Sequence, residues 1–348
     1  MGLRAGAELI ARGSSIRVDQ ARVVRSAVRE WPVECDVSDL VPVPGEHVLR
    51  GIAYAPDELD SAACPAVVWC LPGGRCTIDY FDLQVEGLDG YSMVRDLTDR
   101  GLLVVSLDHL GLGASSPLED LCVVTPRVAA ATHDHAVRTL TARLGRGDLV
   151  DDLPPVAPAQ LIGLGHSMGG LVIVVEQARH ETFDAIVVLG HSADGTWAAL
   201  TDDERLLMDL PDAEREPAMV QLARARARGL PPDSTRRAPA GSFFEADVPR
   251  AVKRAFGAQR TELLFSCALS TMVPGHTDAE KGSVTVPVLL AFGDHDLTPD
   301  FEGNAARYGS SKDVSLFVLP GSAHCHNQAA TRALLWARIA AWISALPT

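Results

Sequence analysis

Two kinds of apolar pattern alternate along this chain. Short continuous apolar runs end in turn-forming residues: "CPAVVWCLPGG" (64–74), "LLVVSLDHLGLGASS" (102–116), the segment 160–164, "FDAIVVLG" (183–190), "VPVLLAFGDHDLTPD" (286–300) and "VSLFVLPGSAH" (314–324). Such runs, bounded by Gly and Pro, read as strands buried on both faces. Two earlier strands are expected at 31–37 and 46–56, joined by the turn-rich "PVPGE". Amphipathic stretches lie between and after them. A helix is expected through 92–101, stopped by Gly101, and another over 125–145, with Thr125 as cap, Pro126 in the first turn and Gly145 as stop. Further helices are expected at 168–181 and across the C-terminal "ATRALLWARIAAWISAL" (330–346). Buried strands alternating with helices imply a mostly parallel sheet of about eight strands, covered on both faces.

One region breaks the alternation. Residues 196–275 are rich in charge and arginine, with helical patterns at "DDERLLMDL" (202–210) and "VPRAVKRAFGAQRTELLFSCAL" (248–269), divided by "LPPDSTRRAPAGS" (230–242). No central-strand candidate occurs there. The expected organisation is a polar N-terminal extension (1–30), an α/β core (31–195 and 276–348) and a helical cap insertion (196–275). The cap would lie over the C-terminal edge of the sheet, where ligands of α/β proteins bind.

Composition narrows the function classes. The chain has 348 residues, 47% hydrophobic and 22% charged, enough apolar material for a large core. A formal net charge of −14 argues against nucleic acid or an anionic membrane as partner. No apolar run reaches the roughly 18 residues of a membrane span, and the start lacks a signal-peptide core, so a cytoplasmic location is expected. Seven cysteines without paired spacing read as reduced thiols; the C-x5-C of "CLPGGRC" fits no zinc or redox motif. A small molecule is the expected partner, and nothing in the chain marks an oligomeric state.

The chemistry-bearing residues fall at strand ends. "GHSMG" sets Ser167 between Gly165 and Gly169, after an apolar strand and before a helix, the setting of a nucleophile held in a tight turn. A serine hydroxyl needs a base, and the base an orienting acid. His324, just past the strand at 314–319, is the base candidate; His326 competes, but its side chain is expected to point elsewhere. Asp294 and Asp296 both qualify as the acid by position, and Asp194 is a rival after the preceding strand. Ser192, in "GHSAD", imitates the nucleophile turn but lacks its closing glycine. "HDH" (133–135) falls within a helix whose i and i+2 side chains diverge, which speaks against a metal site. No phosphate-cradling loop occurs; no cofactor and no metal are implied.

These landmarks resemble the α/β-hydrolase fold superfamily, over roughly residues 31–348. "GHSMGG" is similar to its nucleophile elbow, "LDHLGLGASS" to its loop after the fourth strand, "GDHDLTP" to its acid loop and "PGSAH" to its histidine loop. The family's acid usually stands three residues after the loop glycine, here Gly293, which favours Asp296 and leaves Asp294 to hold the turn. The resemblance implies an oxyanion hole formed by the N–H groups of Met168 and Gly74, with Arg75 as the alternative donor because "PGG" replaces the family's usual His-Gly-x. Arg75 could instead hold an acidic substrate group, or be an ordinary solvated loop residue. The activity implied is a serine hydrolase cleaving a carboxylic ester or lactone of a small to medium, largely apolar substrate. The same triad could also serve an acyltransferase, thioesterase, amidase or C–C hydrolase, or the fold a non-catalytic receptor.

Overall fold

In a computed structural model, the structure describes residues 28–57, 59, 66–196, 199–229 and 243–347. Eight strands form one sheet: β1 (Val28–Asp36), β2 (Val48–Pro56), β3 (Val67–Leu71), β4 (Leu103–Leu107), β5 (Leu161–His166), β6 (Ala185–Leu189), β7 (Val288–Gly293) and β8 (Val314–Leu319). Their spatial order is β1-β2-β4-β3-β5-β6-β7-β8, and from β4 to β8 every pairing is parallel. β1 and β2 pair antiparallel, in register from Val28↔Pro56 to Asp36↔Val48. The sheet therefore starts at Val28, inside the expected extension, whose residues 1–27 lie outside the described ones.

Among the described residues, ten α-helices accompany the sheet: α1 (Met93–Asp99), α2 (Pro126–Arg146), α3 (Met168–His180), α4 (Asp202–Arg205), α5 (Asp212–Ala227), α6 (Arg250–Ala258), α7 (Phe265–Met272), α8 (Asp278–Ser283), α9 (Phe301–Ala306) and α10 (Arg332–Ser344). Period-two alternation sorts the β3 side chains. Val67, Trp69 and Leu71 join a core with Val137 and Leu140 of α2 and Ile173 of α3, while Val68 and Cys70 join one with Leu97 of α1 and Trp336 and Ile339 of α10. Both faces are thus covered, as a parallel sheet requires.

Several boundaries differ from expectation for local reasons. α2 begins as read, with the Thr125 side chain accepting from Val128 N–H, but it runs through Gly145 to a left-handed cap at Gly147 (φ 75°). The later glycine wins because the C′ position needs a positive φ, and its N–H closes back on Arg143 and Leu144. The expected helix over 248–269 is two, α6 and α7. α5 was hidden by Pro217, and α8 and α9 are too short to leave a clear period. The segment 230–242 lies outside the described residues.

The helices between β6 and β7 have small cores of their own. Leu207, Met219, Leu269 and Val273 form one; Val248 and Val252 pack with Leu83 and Tyr91 in another, joining α6 to the loop before α1. Among the described residues, no helix is long and apolar enough to cross a membrane.

Strand order sets where a site can form. From β3 the chain moves to β4 on one side, then crosses to β5 on the other. The loops leaving β3 and β5 therefore diverge at their C-terminal ends and open a crevice between them.

Candidate active site

β5 runs into that crevice and reverses at Ser167, which holds φ 54° and ψ −114° before α3 begins at Met168. A non-glycine residue with positive φ stores strain of about 1–3 kcal/mol, so the surroundings must impose it. Here they do. Ser167 N–H donates to the Leu189 carbonyl (2.7 Å), and the Ser167 carbonyl accepts from Leu171 N–H (3.0 Å), the first bond of α3. The flanking glycines leave no alternative: a Cβ on Gly165 would stand 2.4 Å from the Gly169 backbone, and one on Gly169 2.1 Å from the Leu71 carbonyl oxygen.

The structure brings His324 to this turn. Its Nε2 lies 2.9 Å from Ser167 Oγ, and its Nδ1 lies 2.7 Å from Asp296 Oδ1. His324 and Asp296 side chains are 4% and 1% exposed, so both hydrogen bonds are shielded from water. Burial alone would push the Asp296 carboxyl up; the His324 and His326 imidazoles outweigh it and hold the group well below the usual carboxylate range. An ionised Asp296 only accepts, so Nδ1 of His324 carries the proton and Nε2 is free to accept from Ser167.

The other acids are engaged elsewhere. Asp294 accepts from Gly321 N–H (2.9 Å) and Ser322 N–H (3.0 Å), pinning the loop that carries His324. Asp194 bonds the Thr298 hydroxyl and the Asn304 amide. Ser192 Oγ accepts from Asp194 N–H, a local turn. His326 departs from the sequence expectation: its Nε2 reaches Asp296 Oδ2 at 2.7 Å, with the ring fully buried. A helix beginning near His326 was expected to carry its side chain away, but the chain forms a 3-10 turn there (His326–Gln328), and both rings turn to one carboxylate.

The loop after β3 lies against the start of α3. A Cβ on Gly73 would stand 3.3 Å from Ser167 Cβ, and one on Gly74 would meet Met168 Sδ at 3.8 Å. His109, from the loop after β4, bonds the Pro72 carbonyl through Nε2 (2.8 Å) and is buried; that burial lowers its pKa to about 4, so it stays neutral. Met168, the first residue of α3, has an N–H with no carbonyl one turn earlier to bond. Arg75 is exposed, takes φ 61°, and has no ion pair among the described residues.

Aromatic rings surround the imidazoles. Tyr80 stacks on His166 (4.3 Å), His166 donates from Nε2 to the His324 carbonyl (2.9 Å), and Phe243 meets His324 edge to face at 5.6 Å. Phe243 is 44% exposed, and its carbonyl accepts from Cys325 N–H. The six described cysteines are buried and unbridged. Among the described residues, one group of possible metal ligands converges, Glu245, Asp294 and His295, but both Asp294 oxygens are occupied by backbone donors.

Two buried groups had no sequence signal. His133 of the "HDH" run bonds Glu176 across α2 and α3 (Nδ1–Oε2 2.6 Å), and Lys281 is fully buried with no hydrogen-bond partner for Nζ among the described residues.

No protein-family model matches the chain, and no curated protein sequence does. Solved structures do. The chain is similar to DcsB in complex with its substrate analogue (16% identity, TM-score 0.57, covering 91% of this chain and 99% of that one). It is similar to proline iminopeptidase of Mycobacterium smegmatis (19%, 0.56, 89% and 97%) and to a thermophilic esterase of Thermogutta terrifontis (14%, 0.55, 89% and 98%). At this identity the likeness establishes the architecture: the chain has the α/β-hydrolase fold.

Proposed function

We propose that this α/β-hydrolase-fold protein is a serine hydrolase acting on a carboxylic ester or lactone through an acyl-enzyme. The observation that carries the reading is the unbroken Ser167–His324–Asp296 hydrogen-bond chain, 2.9 Å and then 2.7 Å, at a strained strand-to-helix turn. His324 Nε2 takes the Ser167 proton as Oγ bonds the substrate carbonyl carbon, and Asp296 stabilises the resulting imidazolium. The carbonyl oxygen gains negative charge, which the Met168 and Gly74 N–H groups stabilise. The imidazolium then protonates the departing alkoxide. Water, deprotonated by the same His324, attacks the acyl carbon; its proton passes through His324 to Ser167 Oγ as the acid leaves.

The described parts of the insertion, residues 199–229 and 243–275, serve as the cap over this centre, and the exposed Phe243 ring beside His324 supports a small to medium apolar acyl or alcohol group. A series of p-nitrophenyl esters from acetate to decanoate tests the assignment. Turnover by the native chain and its loss in Ser167→Ala and His324→Ala are expected; equal turnover by Ser167→Ala would overturn it.

A further inference from the structure

Asp296 is held by two imidazoles, and the second has no part in the proton transfer described above. Oδ1 accepts from His324 Nδ1–H (2.7 Å) and Leu297 N–H (2.7 Å). Oδ2 lies 2.7 Å from His326 Nε2 and 3.1 Å from Gly293 N. Gly293 N–H also lies 3.2 Å from His326 Nε2, but an ionised carboxylate leaves the proton on Nε2, so Oδ2 is the acceptor for both. All the lone-pair directions of the carboxylate are thereby filled.

The opposite end of the His326 ring differs. Its Nδ1 is buried with no hydrogen-bond partner among the described residues, and the ring is 0% exposed. A cationic His326 would bury an unpaired N–H, whereas a neutral ring with a bare Nδ1 avoids that cost. His324 has no such obstacle, because its Nε2 faces Ser167. One carboxylate thus serves two rings of unequal readiness to carry charge.

We propose that His326 is a positioning residue for the triad: its Nε2–H fixes Oδ2 of Asp296, aims Oδ1 at His324, and leaves His324 as the ring that carries the proton from Ser167. The inference rests on the serine-hydrolase reading only for that last step; the clamp itself is a matter of geometry.

The surroundings agree. Gly190, at the end of β6 with φ 64°, lies between the rings; a Cβ there would stand 3.1 Å from His324 Cε1 and 3.2 Å from His326 Cε1. The ionisable groups around the pair include His166 from β5, His191 from the loop after β6, which burial keeps neutral, Tyr80 from the 78–80 turn, Cys76 from the loop after β3, and Cys325 between the two histidines, with the Arg260 charge reaching both thiols. Burial keeps His166 neutral and the Tyr80 phenol and both thiols protonated. Asp296 is left as the ionised partner of both rings.

The test is nitrogen NMR of histidine-labelled protein, which reports each ring whether or not any ester is turned over. In the native chain at neutral pH, His326 should carry its proton on Nε2; a proton on Nδ1 would overturn the proposal. In His326→Phe, the His324 Nδ1–H signal should move away from its native position as Asp296 loses its second tether, while His326→Gln, which keeps an N–H donor, should stay near native. Equal movement in both variants, or none in His326→Phe, would also overturn it. If the NMR result holds but no ester is cleaved, the hydrolase reading fails and the clamp stands.

Discussion

Ser167 Oγ and His324 Nε2 stand 2.9 Å apart although 157 positions separate them in sequence. Neither residue achieves this alone. The strained turn lifts the hydroxyl above the sheet between β3 and β6, and Asp294 ties the loop after β8 through two backbone N–H groups, which brings the imidazole across.

That division of labour separates the three aspartates by experiment. Asp296→Asn places an amide where His324 Nδ1–H needs an acceptor, and should cut the kcat of the folded protein by about 10³–10⁴-fold. Asp194→Asn and Asp294→Asn should lower the melting temperature and leave kcat within about tenfold. Comparing kcat with thermal melts across the three variants checks this.

Gly169 approaches the β3 carbonyls too closely for any side chain, with a Cβ 2.1 Å from Leu71 O and 2.6 Å from Pro72 O. Gly169→Ala must push α3 and the loop after β3 apart. It should destabilise the protein by about 2–4 kcal/mol in urea titration, and a surviving fold should lose activity along with the geometry of the turn.

Lys281 is buried in α8 without a hydrogen bond among the described residues, and burial lowers its pKa to about 7 from an ordinary 10.5. The unfolded chain therefore binds more protons than the folded one between those values, so this residue makes stability rise with pH from about 7 to about 10.5. At lower pH the full cost of burying the charge remains. Lys281→Met should stabilise the protein by a few kcal/mol at pH 7, since each tenfold loss of proton affinity on folding costs about 1.4 kcal/mol, and should flatten that rise. Denaturant melts at pH 6, 8 and 10 read both effects.

Asp296 has the opposite sign. Its folded pKa is depressed, so its contribution is present above the ordinary carboxylate range of about 4 and is lost as pH falls toward the folded value. Asp296→Asn should remove part of the steepness of acid unfolding below about pH 4. An acid titration of both forms by circular dichroism checks this.

Much of this was legible in sequence because it depends on local rules. Eight strands and the starts of α2 and α3 follow from apolar runs, Thr125–Pro126 and the two glycines around Ser167. What was not legible depends on tertiary contact. His326 was expected to point away, and only the turn after His324 brings its ring to Asp296. The His133–Glu176 pair joins two helices 43 positions apart, and no spacing announces it. α5 was masked by its internal proline, and the end of α2 was assigned to Gly145 because two nearby glycines compete and only the packed backbone selects Gly147.

The central claim is that Ser167 is a nucleophile activated by His324. It is tested most directly by treating folded protein with a p-nitrophenyl alkylphosphonate and locating the adduct by peptide mass spectrometry. A single phosphonyl group on the peptide containing Ser167, released with one equivalent of p-nitrophenol and formed far more slowly in His324→Ala, is the expected result. Folded native protein that stays unlabelled at Ser167, or is labelled there just as fast without His324, would contradict it.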